Sequence, residues 1–261
     1  MILNFSRAEI VQKCELIVTI TVAQMKSRYR KTFAGFLWVV LNPILTFVVQ
    51  AIIFKHILKI EIQNYFVYLL AGLIPWVFLM SSLNMTVTTF VSNRSTLMAF
   101  KIDPWIFLIS QVLDNFINFI ASYFVIILFV NHALFLNFWF FPLLILMTLV
   151  LVAYVFYLCF FLATLNAFFR DTQYIMQFVT TLAIFVTPVF YPITLLPLHY
   201  QKLVQFNPFY IVLVPFQNLL WRYDLELFFQ SLLNAVGVLI LTAIIAILYW
   251  RKARHALFFR L

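Results

Sequence analysis

Only three glycines, Gly35, Gly72 and Gly237, occur in the 261 residues. A phosphate-cradling loop needs glycines at short fixed spacing, as in G-x-x-x-x-G-K-[ST], so that backbone N–H groups can close on the ligand. No two of these glycines lie near enough to build one, and any nucleotide chemistry falls to another subunit. The four histidines, His56, His132, His199 and His255, are scattered over loops and the tail without metal-ligand spacing to Cys, Asp or Glu. Of the eight acids, seven fall in expected loops or helix ends. A membrane-embedded phosphatase or glycosyltransferase needs convergent carboxylates, histidines or a metal, and that supply is missing. An ion-coupled secondary transporter would show intramembrane charges and paired inverted repeats, whereas one acid and no clear repeat are visible. Two cysteines, Cys14 in an N-terminal segment and Cys159 in an expected span, make no disulfide framework.

Charge is scarce as well, at 10% of residues, against 66% hydrophobic and a mean hydropathy of +1.06. A soluble fold has nowhere to put such a surplus, so the chain is expected to be an all-α membrane protein. The formal charge of +9 does not point to nucleic acid, because the Lys and Arg sit between apolar runs and not on one solvated face. The first thirty residues carry charges throughout and lack an uninterrupted apolar region. No cleavable signal peptide is expected there, and the amino end should stay in the cytoplasm.

Ser6 followed by Glu9 has capping-box spacing and opens residues 6–31, where Ile10, Cys14, Ile17, Thr21 and Met25 recur about once per turn. That pattern predicts an amphipathic helix on the cytoplasmic membrane surface. Long uncharged runs then predict six transmembrane helices over 33–54, 65–86, 105–130, 140–168, 173–190 and 228–250, since about 20 apolar residues cross a bilayer core. Between the fifth and sixth, residues 191–226 are cut by Pro192, Pro197, Pro208 and Pro215 and interrupted by Lys202, Arg222, Asp224 and Glu226. Short re-entrant helices at the periplasmic side fit this stretch better than another crossing, and an outer gate is expected there. The whole of 1–261 reads as a single transmembrane domain. With the amino end inside, thirteen of the 17 Lys and Arg fall on cytoplasmic segments, and only Lys55, Lys59, Lys202 and Arg222 fall outside. That split obeys the positive-inside rule and puts both termini in the cytoplasm.

Several short strings appear in a fixed order: Arg28-Tyr29, Gly35-Phe36-Leu37-Trp38, Leu41-Asn42-Pro43, Ala71-Gly72-Leu73-Ile74-Pro75-Trp76, Leu165-Asn166-Ala167-Phe168-Phe169-Arg170-Asp171, Thr187-Pro188, Tyr191-Pro192 and Asn207-Pro208. Each is weak alone, but together, from about Lys26 to Leu220, they make the chain resemble the permease subunits of bacterial ABC-type polysaccharide exporters. That family moves lipid-linked O-antigen, capsule or teichoic acid chains across the inner membrane. The resemblance implies a non-catalytic homodimer joined to two copies of a cytoplasmic ATP-binding subunit that holds the ATP and Mg. It also implies a central channel for a polyprenyl-diphosphate-linked polysaccharide, most of all O-antigen, with no cofactor in this chain. One departure is the loop from Asn93 to Trp105, which lacks the paired lysines and Phe-Pro-Arg-Glu run common in relatives.

Candidate site residues follow from both lines. Lys26, Arg28, Arg30 and Lys31 crowd the junction of the surface helix and the first span, where a headgroup or substrate pyrophosphate would pass; such a cluster also anchors orientation without any ligand. Arg28 is the member that matches the family. Asp114 lies ten residues past Pro104, ~15 Å along the third span, with Asn115 and Asn118 on neighbouring turns. It either faces the channel or packs two helices as a partnered acid. Phe190, Tyr191, Phe206, Phe209 and Tyr210 could stack on sugar faces, or anchor the membrane interface. Arg94, Lys101 and the adjacent pair Arg170-Asp171 are expected on the inner loops that couple to the ATPase.

Overall fold

The structure, a computed structural model, describes residues 7–29, 37–53, 63–100, 102–127 and 138–260. Every regular element among them is helical. The helices are α1 (Arg7–Tyr29), α2 (Trp38–Ile52), α3 (Tyr65–Thr86), α4 (Thr89–Ser92), α5 (Arg94–Phe100), α6 (Pro104–Ile127), α7 (Phe140–Phe168), α8 (Thr172–Val186), α9 (Leu198–Gln205), α10 (Pro208–Gln217) and α11 (Leu225–Arg260).

Four of these, α3, α6, α7 and α11, are long and apolar enough to cross a membrane, and the bent pair α9 and α10 makes a fifth candidate. Burial sorts them. The apolar stretch of α3 is 83% buried and that of α11 only 17%, so α3 is the axle of the bundle and α11 its outer wall. A lipid-facing helix can be apolar all round, but a central one must also fit its neighbours, which explains the small and kinked residues Ala71, Gly72 and Pro75 in α3. A Cβ on Gly72 would stand 2.8 Å from Nε2 of Gln217 and 3.4 Å from Val189, so α3 approaches α10 more closely there than a side chain allows. Along the outer wall, α7 and α11 mesh through rings, Phe160 on Trp250 at 4.8 Å and Phe161 on Tyr249 at 5.3 Å.

Local chemistry sets the ends. Pro104 and Pro208 start α6 and α10, where a missing N–H costs nothing. Asn207 caps α10 by accepting from the Phe209 N–H, and Asp224 accepts from the Leu227 N–H at the start of α11. Asn64 enters α3 with φ 52°, the left-handed region that asparagine tolerates.

The expected spans 65–86 and 140–168 coincide with α3 and α7. The fifth expected span ends early. α8 stops at Val186, because Thr187 turns extended and Pro188 follows, leaving 15 residues where 173–190 was expected. The sixth is longer than 228–250, since α11 carries its helix through the basic tail to Arg260. The described part of α2 is 15 residues, Trp38–Ile52. In 191–226 the expected short helices are present, as a 3₁₀ turn at Ile193–Leu195, α9, α10 and a π-helical turn at Asn218–Arg222. The chain bends by 95° between α9 and the helix that follows it.

The first helix is placed differently from its expectation. Lys13 pairs with Asp103 at 2.7 Å, Thr21 and Ile17 bond with Ser110, and Arg28 pairs with Asp114. These contacts advance together along both helices, so α1 runs beside α6 in the same direction instead of standing apart on a surface. Its phase differs too. Ile17, Thr21 and Met25 are at least half-buried, but Ile10 and Cys14 are exposed, and the packed stripe includes Lys13, Leu16, Ile20, Gln24 and Arg28.

Candidate functional site

The polar groups of the bundle gather where α1, α3 and α6 meet. Asp114 is fully buried on α6, and Nη2 of Arg28, from α1, donates to its Oδ2 at 2.5 Å. The same Nη2 lies 3.4 Å from Sδ of Met85 on α3, and Nε2 of Gln111 reaches that sulfur at 4.0 Å. Around the pair, Oδ1 of Asp114, Nδ2 of Asn115, Oε1 of Gln24 and Oγ of Ser82 are buried without a hydrogen-bond partner among the described residues. A charge at this depth is tolerated only when an opposite charge meets it, and the guanidinium supplies that. The Arg28 side chain keeps 26% exposure, whereas the Asp114 side chain has none. Asp114 is thus a partnered acid that joins α6 to α1. Asn118, one turn on, is half-buried.

Two further links hold α1. Lys13 of the Asp103 pair also lies 5.4 Å over the Trp105 ring. Ser110 donates to the Ile17 carbonyl at 3.2 Å. Lys26 is exposed on the other side of α1, and Arg30, Lys31 and Lys101 lie outside the described residues.

Arg94 opens α5 and is exposed. Arg170 and Asp171 are exposed in the turn between α7 and α8 but do not pair with each other, contrary to the adjacent ion pair expected there. Instead the Asp171 carbonyl accepts from the N–H groups of Tyr174 and Ile175 and starts α8. Phe168 meets Tyr249, and Phe90 and Trp250 both meet Phe160, so this turn, α4, α5 and the basic tail share one end of the bundle.

The opposite end is knitted around the 187–190 turn. Tyr65 donates to the Phe190 carbonyl at 2.9 Å, Tyr68 to that of Pro188 at 3.3 Å, and Nδ2 of Asn207 to Oγ1 of Thr187 at 2.9 Å. The expected aromatic track is broken up here. Phe190 is buried, Phe209 sets its edge on Trp76, and Phe206 is 83% exposed. Tyr191 and Phe209 line an apolar groove of about 670 Å³ between α8 and α9, while Tyr210 lines a separate, polar pocket.

Among the described residues, no three of His, Cys, Asp and Glu gather as a metal site. His199 lies against the Tyr200 ring at 3.8 Å.

The pattern of ABC-2 type transporters matches residues 15–221. The chain belongs to the ABC-2 type transporter family. Both members of the buried pair, Gly72 and the Thr187–Asn207 link fall inside the matched stretch of this ABC-2 chain. Among curated relatives, the chain is similar to the O-antigen export system permease protein RfbA of Klebsiella pneumoniae, 26% identical over 246 residues, covering 93% of this chain and 94% of that one. It is equally similar to the protein of that name from Myxococcus xanthus, 26% identical over 243 residues, covering 93% of this chain and 91% of the relative. An ABC-2 permease with several apolar helices is a multi-pass membrane protein.

Composition and hydropathy miss most of the site. They do not mark Met85, Gln111, Gln24 or Ser110, although Ser110, Asp114, Asn118 and Ser122 repeat every fourth residue of an otherwise apolar helix. That spacing puts them on one ridge, and it is legible in the residue order alone.

Proposed function

We propose that this chain is the transmembrane permease of an ABC exporter carrying polyprenyl-diphosphate-linked polysaccharide, O-antigen in the first place, across the bacterial inner membrane. The observation that carries the reading is the end-to-end match to O-antigen export permeases, covering 93% of this chain. Two copies would form the passage with six spans each, both termini in the cytoplasm and the 191–226 helices re-entrant from the periplasmic side. ATP and Mg would be bound by two copies of a separate ATPase subunit, and this chain would do no chemistry of its own.

The geometry suits that division of labour. Force from an ATPase has to enter at the cytoplasmic end, where Arg94, Arg170, Asp171 and the basic tail would stand. The α1 helix, clamped to α6 at three levels, would pass movement from that end into the bundle. A substrate pyrophosphate arriving beside α1 would meet the partly exposed Arg28 side chain and compete with Asp114 for its guanidinium.

The test is deletion of the gene, with surface O-antigen, capsule and teichoic acid each assayed, alongside ATP turnover by the purified chain with and without a co-expressed ATPase. Loss of one surface polymer and turnover only with the partner are expected. ATP hydrolysis by this chain alone, or unchanged surface polymers, would overturn the reading.

A further inference from the structure

Beside α10 lies a pocket of about 220 Å³ with a lining unlike that of the apolar groove. Tyr68, Tyr210 and Trp221 supply ring surface, while Gln217, Gln230 and Asn234 supply amides and Arg222 a charge. Several lining groups are already used by the fold. Trp221 donates to the Gln63 carbonyl at 2.8 Å, Tyr68 donates to Pro188, and Asn218 donates to the Leu227 carbonyl and to Ser231. The Tyr210 hydroxyl, the amides of Gln230 and Asn234, and the Arg222 guanidinium make no hydrogen bond or ion pair among the described residues. Arg222 instead lies 5.0 Å over the Trp221 ring, which holds its charge at the pocket mouth without neutralising it. Tyr68 stands edge-on to the same indole at 5.0 Å, so the ring has little freedom to turn.

A recess of this size falls below the ~300 Å³ from which drug-sized ligand pockets start, and it is too small and too polar for a lipid tail. Its parts suit one pyranose ring. The apolar C–H face would rest on an aromatic wall, amides that both donate and accept would take the hydroxyls, and the forked cation would take a carboxylate. We propose that this pocket binds a single acidic sugar residue, of the uronate class, presented by the exported chain at the end of the bundle opposite the basic tail. The origin of the sugar rests on the export reading, but the site belongs to this chain and needs no ATPase.

The experiment is calorimetric titration of the full chain, purified in phosphatidylcholine nanodiscs, with methyl glucuronide, methyl glucoside and glycerol 3-phosphate. The glucuronide should bind saturably and the uncharged glucoside about tenfold more weakly, the worth of one charge-assisted hydrogen bond. Arg222→Gln should lose that preference and Arg222→Lys keep part of it. Asn234→Ala, an exposed position on α11 whose change leaves the packing intact, should weaken both sugars. Equal binding of glucuronide and glucoside, no saturable heat, or tighter binding of glycerol phosphate, which would mark a lipid headgroup site, would each overturn the proposal. A chain that binds glucuronide yet exports nothing would sink the export reading alone.

Discussion

Arg28 and Asp114 lie 86 positions apart in the chain and meet at 2.5 Å, the one 26% exposed and the other not at all. The asymmetry matters more than the distance. Removing Arg28 strands a carboxylate in a buried site, whereas removing Asp114 leaves a guanidinium that can turn toward solvent.

Arg28→Ala is therefore expected to cost on the order of 3–5 kcal/mol of stability, and Asp114→Asn clearly less. The paired apolar replacement Arg28→Met with Asp114→Leu should recover much of the loss. Thermal unfolding of the purified proteins in one detergent measures all three. Equal losses in the two single variants would remove the argument from burial.

Gly72 is a packing requirement of the same kind. Gly72→Ala pushes a Cβ against Nε2 of Gln217, the end of a flexible side chain, and should cost about 1–3 kcal/mol. Shortening the neighbour with Gln217→Ala should relieve that cost, while Gly72→Val should fail to accumulate as folded protein. Expression level and melting temperature report both, and an indifferent Gly72→Val would show that α3 and α10 are not held at this spacing.

Asn207 does two jobs, capping α10 and donating to Thr187. Asn207→Ala should lower stability by about 1 kcal/mol through the lost cap alone, with a further decrement from the freed turn. Thr187→Val removes only the second link and should cost less. Protease sensitivity between α8 and α10 should rise in the same order; the reverse order would contradict the assignment.

Cys14 is exposed on α1 and Cys159 is buried in α7, so the natural chain carries one reactive thiol beside one protected one. A membrane-impermeant maleimide should label Cys14 in inside-out vesicles and not in intact spheroplasts. Labelling should persist in Cys159→Ser and vanish in Cys14→Ser. Modification of Cys14 from the outside would invert the orientation deduced from the positive charges.

Helix content, the limits of α3 and α7, and membership of a transporter family could all be read from the residue order. Hydropathy and the proline stops act within one segment and need no knowledge of neighbours. The proline-cut stretch from Tyr191 to Glu226 was legible for the same reason, because Pro192 and Pro197 stand just ahead of short helical segments and Pro208 opens α10, although Pro215 sits inside α10 without ending it. The placement of α1 was not. Its apolar period allows several rotations about the helix axis, and only the polar row of Ser110 and Asp114 on α6, met by the Ile17 carbonyl, selects the one that brings Arg28 inward. Two residues that stand out separately in the chain thus became one ion pair, and five aromatics expected to form one track were divided between core, groove, pocket and, for Phe206, open surface. Composition decides which segments leave water; which side chains then meet depends on the register and rotation of helices far apart in the chain, and that is settled only when close packing and charge pairing are satisfied together.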